Sequence, residues 1–328
     1  MKSRTTLKEL SKLLNLSIST VSKSLNDSSE ISSKTKQRVR DTAFLHNYIP
    51  NDAAKSLKNR QSNIIGVVIP SLKSTFSAAL LEGIEAKADE MNYKVFLCIS
   101  NNSVEKEKEC IKRFLETQVD GVIVFPTQET QESGDITHLN ELINLDVPLV
   151  IFDSVTKILN CDKVSMENSL QTELAVNELN IAGCSKIAFI TQNSEACLQQ
   201  KYKDGYCLAV EKLNLPAILI EDTVVPFHKI AGMIKNKRLD GIIACSRYSA
   251  GNLLKKIRNT DSQIIKNIPV VALSNGNVSR NFLPNLSSLD QKGHMQGKLA
   301  VETLLNRIHG KLPLKRINFQ IKSEILQC

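Results

Sequence analysis

Cysteine and histidine are the side chains whose spacing most often marks a metal or catalytic centre, and in this chain they are scattered. The eight cysteines (Cys98, Cys110, Cys161, Cys184, Cys197, Cys207, Cys245 and Cys328) form no CxxC pair and no Cys/His cluster, so neither zinc nor a redox motif is implied. They read as reduced, mostly buried thiols. His46, His138, His228, His294 and His309 have no partners in sequence, and GxSxG, GxGxxG, GxxxxGK[ST] and HExxH motifs are all missing. An enzyme is therefore not expected, nor is a metal or cofactor. The residues that could do chemistry are a small polar set near the amino end: Ser17, Ile18, Ser19, Thr20, Ser22, Lys23 and Asn26, with Ser32 downstream. Hydroxyls, an amide and one ammonium at helical spacing suit bonds to phosphates and base edges in the major groove of DNA.

The elements that must position this set are short helices. Thr6-Leu7-Lys8-Glu9 is a capping box, which starts a first helix. Leu7, Leu10, Leu13 and Leu14 repeat at helical spacing behind it, giving one buried face. Asn15-Leu16-Ser17 is the turn, and Ser17 can cap a second helix. In that helix Val21 and Leu25 share one side with Ile18 at its edge, while Ser19, Ser22, Lys23 and Asn26 lie about a quarter turn away. A third helix is predicted from Ser33 to about His46, capped by Ser32 or Ser33 and stopped at Asn47. Such an all-α helix-turn-helix unit needs positive charge to approach DNA. Residues 1–62 hold twelve Lys or Arg against five Asp or Glu, and the remaining 266 hold thirty against twenty-nine. Nearly all of the net charge of +8 thus sits in one small end module, as an electrostatic footprint for phosphates would.

The runs TLKELSKLLNLSISTVSKSLNDSSEISSKTKQRV and NYIPNDAAKSLKNRQSNIIGVVIP resemble the headpiece and hinge of the LacI/GalR family of bacterial transcription regulators. The resemblance implies that Ile18, Ser19 and Lys23 read bases, and that Ser17, Thr20, Ser22, Asn26 and Ser32 hold phosphates. Apolar Ile18 would favour a thymine methyl. Asn51 to Arg60 is too short to hold a helix alone in water, so it should be disordered until DNA or a partner orders it. By resemblance it becomes a minor-groove helix, with Leu57 as the wedge that opens a base step and Lys55 reaching phosphates or base edges.

At 328 residues the chain is long enough for two or three cores. From residue 63 apolar strands alternate with helical patterns: Ile64 to Pro70, Lys94 to Ser100, Gly121 to Pro126 and Leu149 to Ser154. A second set follows at Lys186 to Thr191, Ala217 to Glu221, Gly241 to Ser246 and Val270 to Ser274. This is the pattern of parallel, doubly wound sheets. Val119-Asp120-Gly121-Val122-Ile123 recurs as Leu239-Asp240-Gly241-Ile242-Ile243, and Glu82-Gly83 to Asn92 recurs as Asp204-Gly205 to Asn214, so two similar lobes are expected. Ligands in such sheets bind beyond the carboxyl ends of the strands. The order of strands resembles the family's type I periplasmic-binding-protein-like effector domain, an α/β two-lobed fold. By that resemblance Phe76 and Asp153 contact a small-molecule effector. The family's Arg, its Asn-Asp pair and its later Asp are replaced by Tyr202, Ser246-Arg247 and Ser274, so the usual sugar grip is altered. Arg247 is either a relocated positive charge for an anionic ligand or a surface arginine.

The domain expectation is a headpiece over 1–47, a hinge over 48–62 and an effector and dimerisation domain over 63–328. Within the last, lobe 1 is placed at about 63–160 plus 292–320 and lobe 2 at about 161–291 plus 321–328. The amino-terminal MKSRTTLKEL has no apolar h-region behind its charge and no stretch is long enough to span a membrane, so a cytoplasmic protein is expected. The function expected is a homodimeric repressor that binds a palindromic operator in double-stranded DNA and senses a small molecule, a sugar or sugar derivative first among them. The alternatives are a regulator that has lost its ligand or answers to a protein partner and, behind it, a solute-binding protein.

Overall fold

The computed structural model describes residues 5–49, 61–152, 159–166, 168–191, 196–221, 227–244, 250–251, 253–255, 268–273 and 286–326. They belong to two compact units, Met1–Ser62 and Asn63–Cys328. The first holds three helices, α1 (Leu7–Leu14), α2 (Ile18–Leu25) and α3 (Ser33–Leu45). The capping box forms: Glu9 N–H donates to Thr6 Oγ1 at 3.2 Å, and Thr6 N–H donates to Glu9 Oε2 at 2.7 Å. That backbone bond, with a second from the Thr6 hydroxyl, holds the Glu9 carboxyl below its ordinary range. Asn15 ends α1 in left-handed backbone at φ 53°, a conformation asparagine tolerates. Ser32, not Ser33, caps α3 by accepting from Thr35 N–H at 3.3 Å. His46 is its C-cap and Asn47 turns away at φ 48°. Leu10, Leu14, Val21, Val39 and Ala43 meet in one core. Leu13, expected on that face, is 54% exposed; Leu10 and Leu14, one turn apart, define the seam, and Leu13 lies a quarter turn off it.

The second unit is built on two six-stranded sheets. The first contains β1 (Ile64–Ile69), β2 (Lys94–Ile99), β3 (Gly121–Val124), β4 (Leu149–Phe152), β5 (Asp162–Met166) and β11 (Asn318–Ile321), in the order β11-β5-β4-β3-β1-β2. Every pairing in it is parallel. Its strands read as near-continuous apolar runs because helices cover both faces: α4 (Thr75–Glu90) and α11 (Gly293–Ile308) on one core, α5 (Val104–Thr117) and α7 (Thr137–Asn144) on the other. The short α6 (Gln128–Ser133) follows β3. The second sheet contains β6 (Ile187–Thr191), β7 (Ile218–Glu221), β8 (Gly241–Ala244), β9 (Val270–Ala272), β10 (Leu286–Asp290) and β12 (Glu324–Leu326), ordered β12-β10-β9-β8-β6-β7. Only β12 runs antiparallel to its neighbour. Packed helices α8 (Asn168–Ile181) and α9 (Ala196–Lys212), with α10 (Phe227–Lys235), accompany it.

The internal repeat has a physical basis. Asp120 accepts from Asn63 N–H at 2.8 Å, tying the start of β3 to the start of β1. Asp240 does the same for β8 and β6, accepting from Lys186 N–H at 2.7 Å and from Ser185 N–H. Each lobe uses one carboxylate to set the edge from which its strands begin.

The first sheet takes in β5 as far as Met166 and β11 as far as Ile321. β5 (DKVSM) and β10 (LSSLD) carry too few apolar residues to be read as strands; their pairing partners, not their own pattern, make them strands. The chain passes between the lobes after β5, after β10 and after β11, each time from the carboxyl end of a parallel strand.

Candidate nucleic-acid interface and ligand cleft

In the first unit the exposed side of α2 carries the expected reading set. Ser17 caps the helix, accepting from Thr20 N–H at 3.0 Å, and its hydroxyl lies 2.8 Å from that of Thr20. One hydroxyl proton is used inside that pair, which leaves the other to donate outward at the positive end of the helix. Ile18 is 46% exposed, and Ser19, Lys23 and Asn26 are exposed, whereas Thr20 and Ser22 are half-buried. Ser24, between them, is buried and donates to Thr20 O at 2.7 Å, so α2 separates an inner from an outer face.

Two acidic residues belong to this surface that sequence reasoning did not find. Lys23 Nζ is paired with Glu30 Oε2. Asp27, in left-handed backbone at φ 58°, pairs with Lys36 at 3.1 Å and Arg40 at 2.9 Å. The Lys36 hydrogen bond, then its charge, holds the Asp27 carboxyl below its ordinary range. These contacts form because the turn after α2 folds back, which residue spacing within a helix does not reveal. Arg38 donates to Leu14 O at 3.1 Å and so closes α1 from α3.

In the second unit the carboxyl ends of the first sheet present an aromatic row. Phe76, in the first turn of α4, has its ring 6.2 Å from that of Phe125 after β3, and Phe125 lies 6.3 Å from Phe152 at the end of β4. Phe76 and Phe125 are half-buried and Phe152 is buried. Tyr202 is 4% exposed and packed into the core of the second lobe, with its hydroxyl donating to Gln171 at 3.5 Å. Asp153, Ser246, Arg247 and Ser274, like Lys55 and Leu57 of the hinge, lie outside the described residues.

At the opposite, amino end of the first sheet a cavity of about 310 Å³ is lined by Pro148, Leu149, Cys161, Arg307 and Arg316 among others. Beside it Arg307 forks onto fully buried Asp162, with Nε–Oδ2 and Nη2–Oδ1 both 2.7 Å. The described cysteines are free thiols. Burial, with Cys98 alongside, pushes the Cys110 thiol up to about 12, and burial pushes Cys184 to about 11. Among the described residues no three His, Cys, Asp or Glu side chains gather as a metal site, and no helix is long and apolar enough to cross a membrane.

A helix-turn-helix unit with a hydroxyl-rich, singly basic outer face, followed by two α/β lobes built on mostly parallel sheets, defines a DNA-binding regulator with a ligand-sensing domain. Comparison with known proteins agrees along the whole chain. Residues 6–51 match the family model "Bacterial regulatory proteins, lacI family", residues 62–228 match "Periplasmic binding proteins and sugar binding domain of LacI family", and residues 176–322 match "Periplasmic binding protein-like domain". The chain belongs to the LacI family of bacterial transcription regulators and is not an enzyme. Similar proteins include the HTH-type transcriptional regulator RegA of Clostridium saccharobutylicum, 26% identical over 98% of both chains. The ribose operon repressor of Haemophilus influenzae is 27% identical over 92% of both. Among solved structures, the Lac repressor dimer bound to operator and an anti-inducer superposes with a TM-score of 0.84 over 99% of this chain and 98% of that one, at 21% identity.

Proposed function

We propose that the protein is a cytoplasmic, homodimeric repressor that binds a palindromic operator and releases or tightens its hold when a small molecule enters the cleft between its lobes. The observation that carries this reading is the outer face of α2, which puts Ile18, Ser19 and Lys23 outward while Ser17 and Thr20 keep a hydroxyl proton for a phosphate at the helix start. Ser22, Asn26 and Ser32 complete the phosphate contacts, and Lys55 and Leu57 act in the minor groove, where a wedge requires one copy from each subunit. Two-fold symmetric half-sites follow from a dimer. Support also comes from relatives named as repressors of a ribose operon and as PurR repressors, and from a solved relative that is a dimer on its operator.

The effector would lie against Phe76 at the carboxyl end of the first sheet, with Asp153, Ser246, Arg247 and Ser274 as its polar contacts. Solved relatives include complexes with cellobiose and with ribose, and flat aromatic faces suit a sugar ring or a base. The burial of Tyr202 favours a second reading, in which the regulator has lost its small ligand or answers to a protein partner. The deciding experiment incubates the protein with fragmented genomic DNA of its source and sequences what stays bound. A recovered short palindrome supports the repressor, and its neighbouring genes nominate ligands to try. Binding without sequence preference would overturn the operator reading.

A further inference from the structure

Outside the headpiece, one of the basic stretches of the second unit, beside others such as Lys235, Lys237 and Arg238, lies on a loop at the edge of the first sheet. Between Glu302 and Glu324 the sequence has five Lys or Arg and no Asp or Glu. Arg307 is neutralised by Asp162, but Lys311, Lys315 and Arg316 are exposed and take part in no ion pair among the described residues. They flank Leu314, which is 98% exposed. The loop that carries them is held from beneath. Arg307 donates to Pro313 O and to Lys315 O, Lys311 N–H donates to Asn306 O at 2.8 Å, and Ile317 N–H donates to buried Asp162 at 2.9 Å. With its backbone fastened at four points, the loop holds its three cations in place rather than on a slack connection.

Its place in the sheet identifies the partner. The loop leads into β11, which is parallel to β5, and through β4 and β3 to β1. It therefore opens at the amino ends of the strands, the end at which the chain enters from the headpiece at Asn63. Residues 51–62 can span at most roughly 40 Å, so this end of the sheet is the one tethered to the headpiece by a short connection. We propose that Lys311, Lys315 and Arg316 form a second phosphate-binding surface on the effector domain, which grips DNA beside the segment that the headpiece reads. This inference rests on the DNA-binding reading above and adds a contact that reading does not contain.

The test measures affinity of the full chain for a random-sequence duplex of about 60 base pairs as salt is raised, since each lost phosphate contact flattens the log–log slope by about 0.9. The triple variant Lys311→Ala, Lys315→Ala, Arg316→Ala should lose about two to three units of slope and bind about fivefold or more weakly at low salt. Lys106→Ala, Lys112→Ala, Lys235→Ala removes the same formal charge from exposed sites elsewhere on the second unit and should keep the wild-type slope. The charge-conserving triple Lys311→Arg, Lys315→Arg, Arg316→Lys should keep it too, which guards against a loop that merely fails to fold. Equal slopes for the first two triples would overturn the proposal. A wild-type chain that binds no duplex at low salt would overturn the DNA-binding reading along with it.

Discussion

At the scale of single residues, Lys23 shows what spacing reveals and what it hides. Its outward position on α2 follows from helical geometry, so its candidacy was legible in the sequence. Its partner Glu30 was not, because the contact is made across a turn. The pair is largely exposed, with 44% and 66% of the two side chains open, so it holds Lys23 only loosely against water. Lys23 must leave Glu30 to reach a base, and the two substitutions should therefore pull in opposite directions. Lys23→Ala should weaken operator binding by about 1–3 kcal/mol and leave non-specific binding less affected. Glu30→Gln should strengthen binding to both. Isothermal titration or fluorescence anisotropy would read both, and a weaker Glu30→Gln complex would show that Glu30 orders Lys23 instead of competing for it. The thiols give a second residue-scale prediction. Cys110 is raised to about 12 and Cys184 to about 11 by burial, above an ordinary thiol near 8.5. A raised folded value means that stability is fully present below the unfolded value and is lost as pH rises toward the folded one. Melting temperature should hold through about pH 8 and fall beyond about pH 9, and neither thiol should react with a thiol reagent in the native protein at pH 8.

At the scale of elements, helix α4 lies against α11 more closely than side chains normally allow. A Cβ on Gly83 would sit 2.0 Å from His294 O, and one on Gly297 would sit 2.2 Å from Leu80 O. Both obstacles are backbone, which cannot swing aside, so the two helices would have to part. Gly297→Ala should destabilise the second unit by on the order of 2–3 kcal/mol despite alanine's better helix propensity, whereas Gly232→Ala on α10, where nothing lies within 4 Å, should be neutral or stabilising. Thermal melts of the two variants would settle the contrast. The sequence showed that Gly83 belonged to a repeat but not that a second helix crossed there, since that contact joins segments more than 200 residues apart. The same limit hid β5 and β10, whose own residues are half polar. Long apolar runs such as β1 were legible because both faces are covered. Arg307 adds an electrostatic counterpart. Arg307→Ala would strand the fully buried Asp162 carboxylate and should cost about 3–5 kcal/mol, seen as a lowered denaturant midpoint.

At the scale of the molecule, two lobes joined three times must move through very few bonds. One residue separates β5 from α8, two separate β10 from α11, and two separate β11 from β12. Lys292 occupies the middle link in left-handed backbone at φ 50°, an unfavourable place for a lysine. Asp290 accepts its N–H at 2.7 Å, and its ammonium reaches Glu324, just past the third link, at 2.5 Å. The ion pair thus fastens two links side by side, while the Gln291 amide holds Leu273 O and the Gln296 amide holds Gln291 O. Glu324 is 71% exposed, so the pair is worth less than about 1 kcal/mol to global stability. A change of that size nonetheless shifts a balance between open and closed lobes severalfold, because such states differ by only a few kcal/mol. Lys292→Ala and Lys292→Gly both remove the pair, but only glycine also relieves the backbone, by about 1 kcal/mol. Lys292→Gly should therefore melt at or above Lys292→Ala, and both should exchange the amides of residues 291–296 faster than wild type. Unchanged exchange in both variants would mean that the two glutamine bonds alone set the stiffness of the links, and the lobes would then have to close without disturbing this corner.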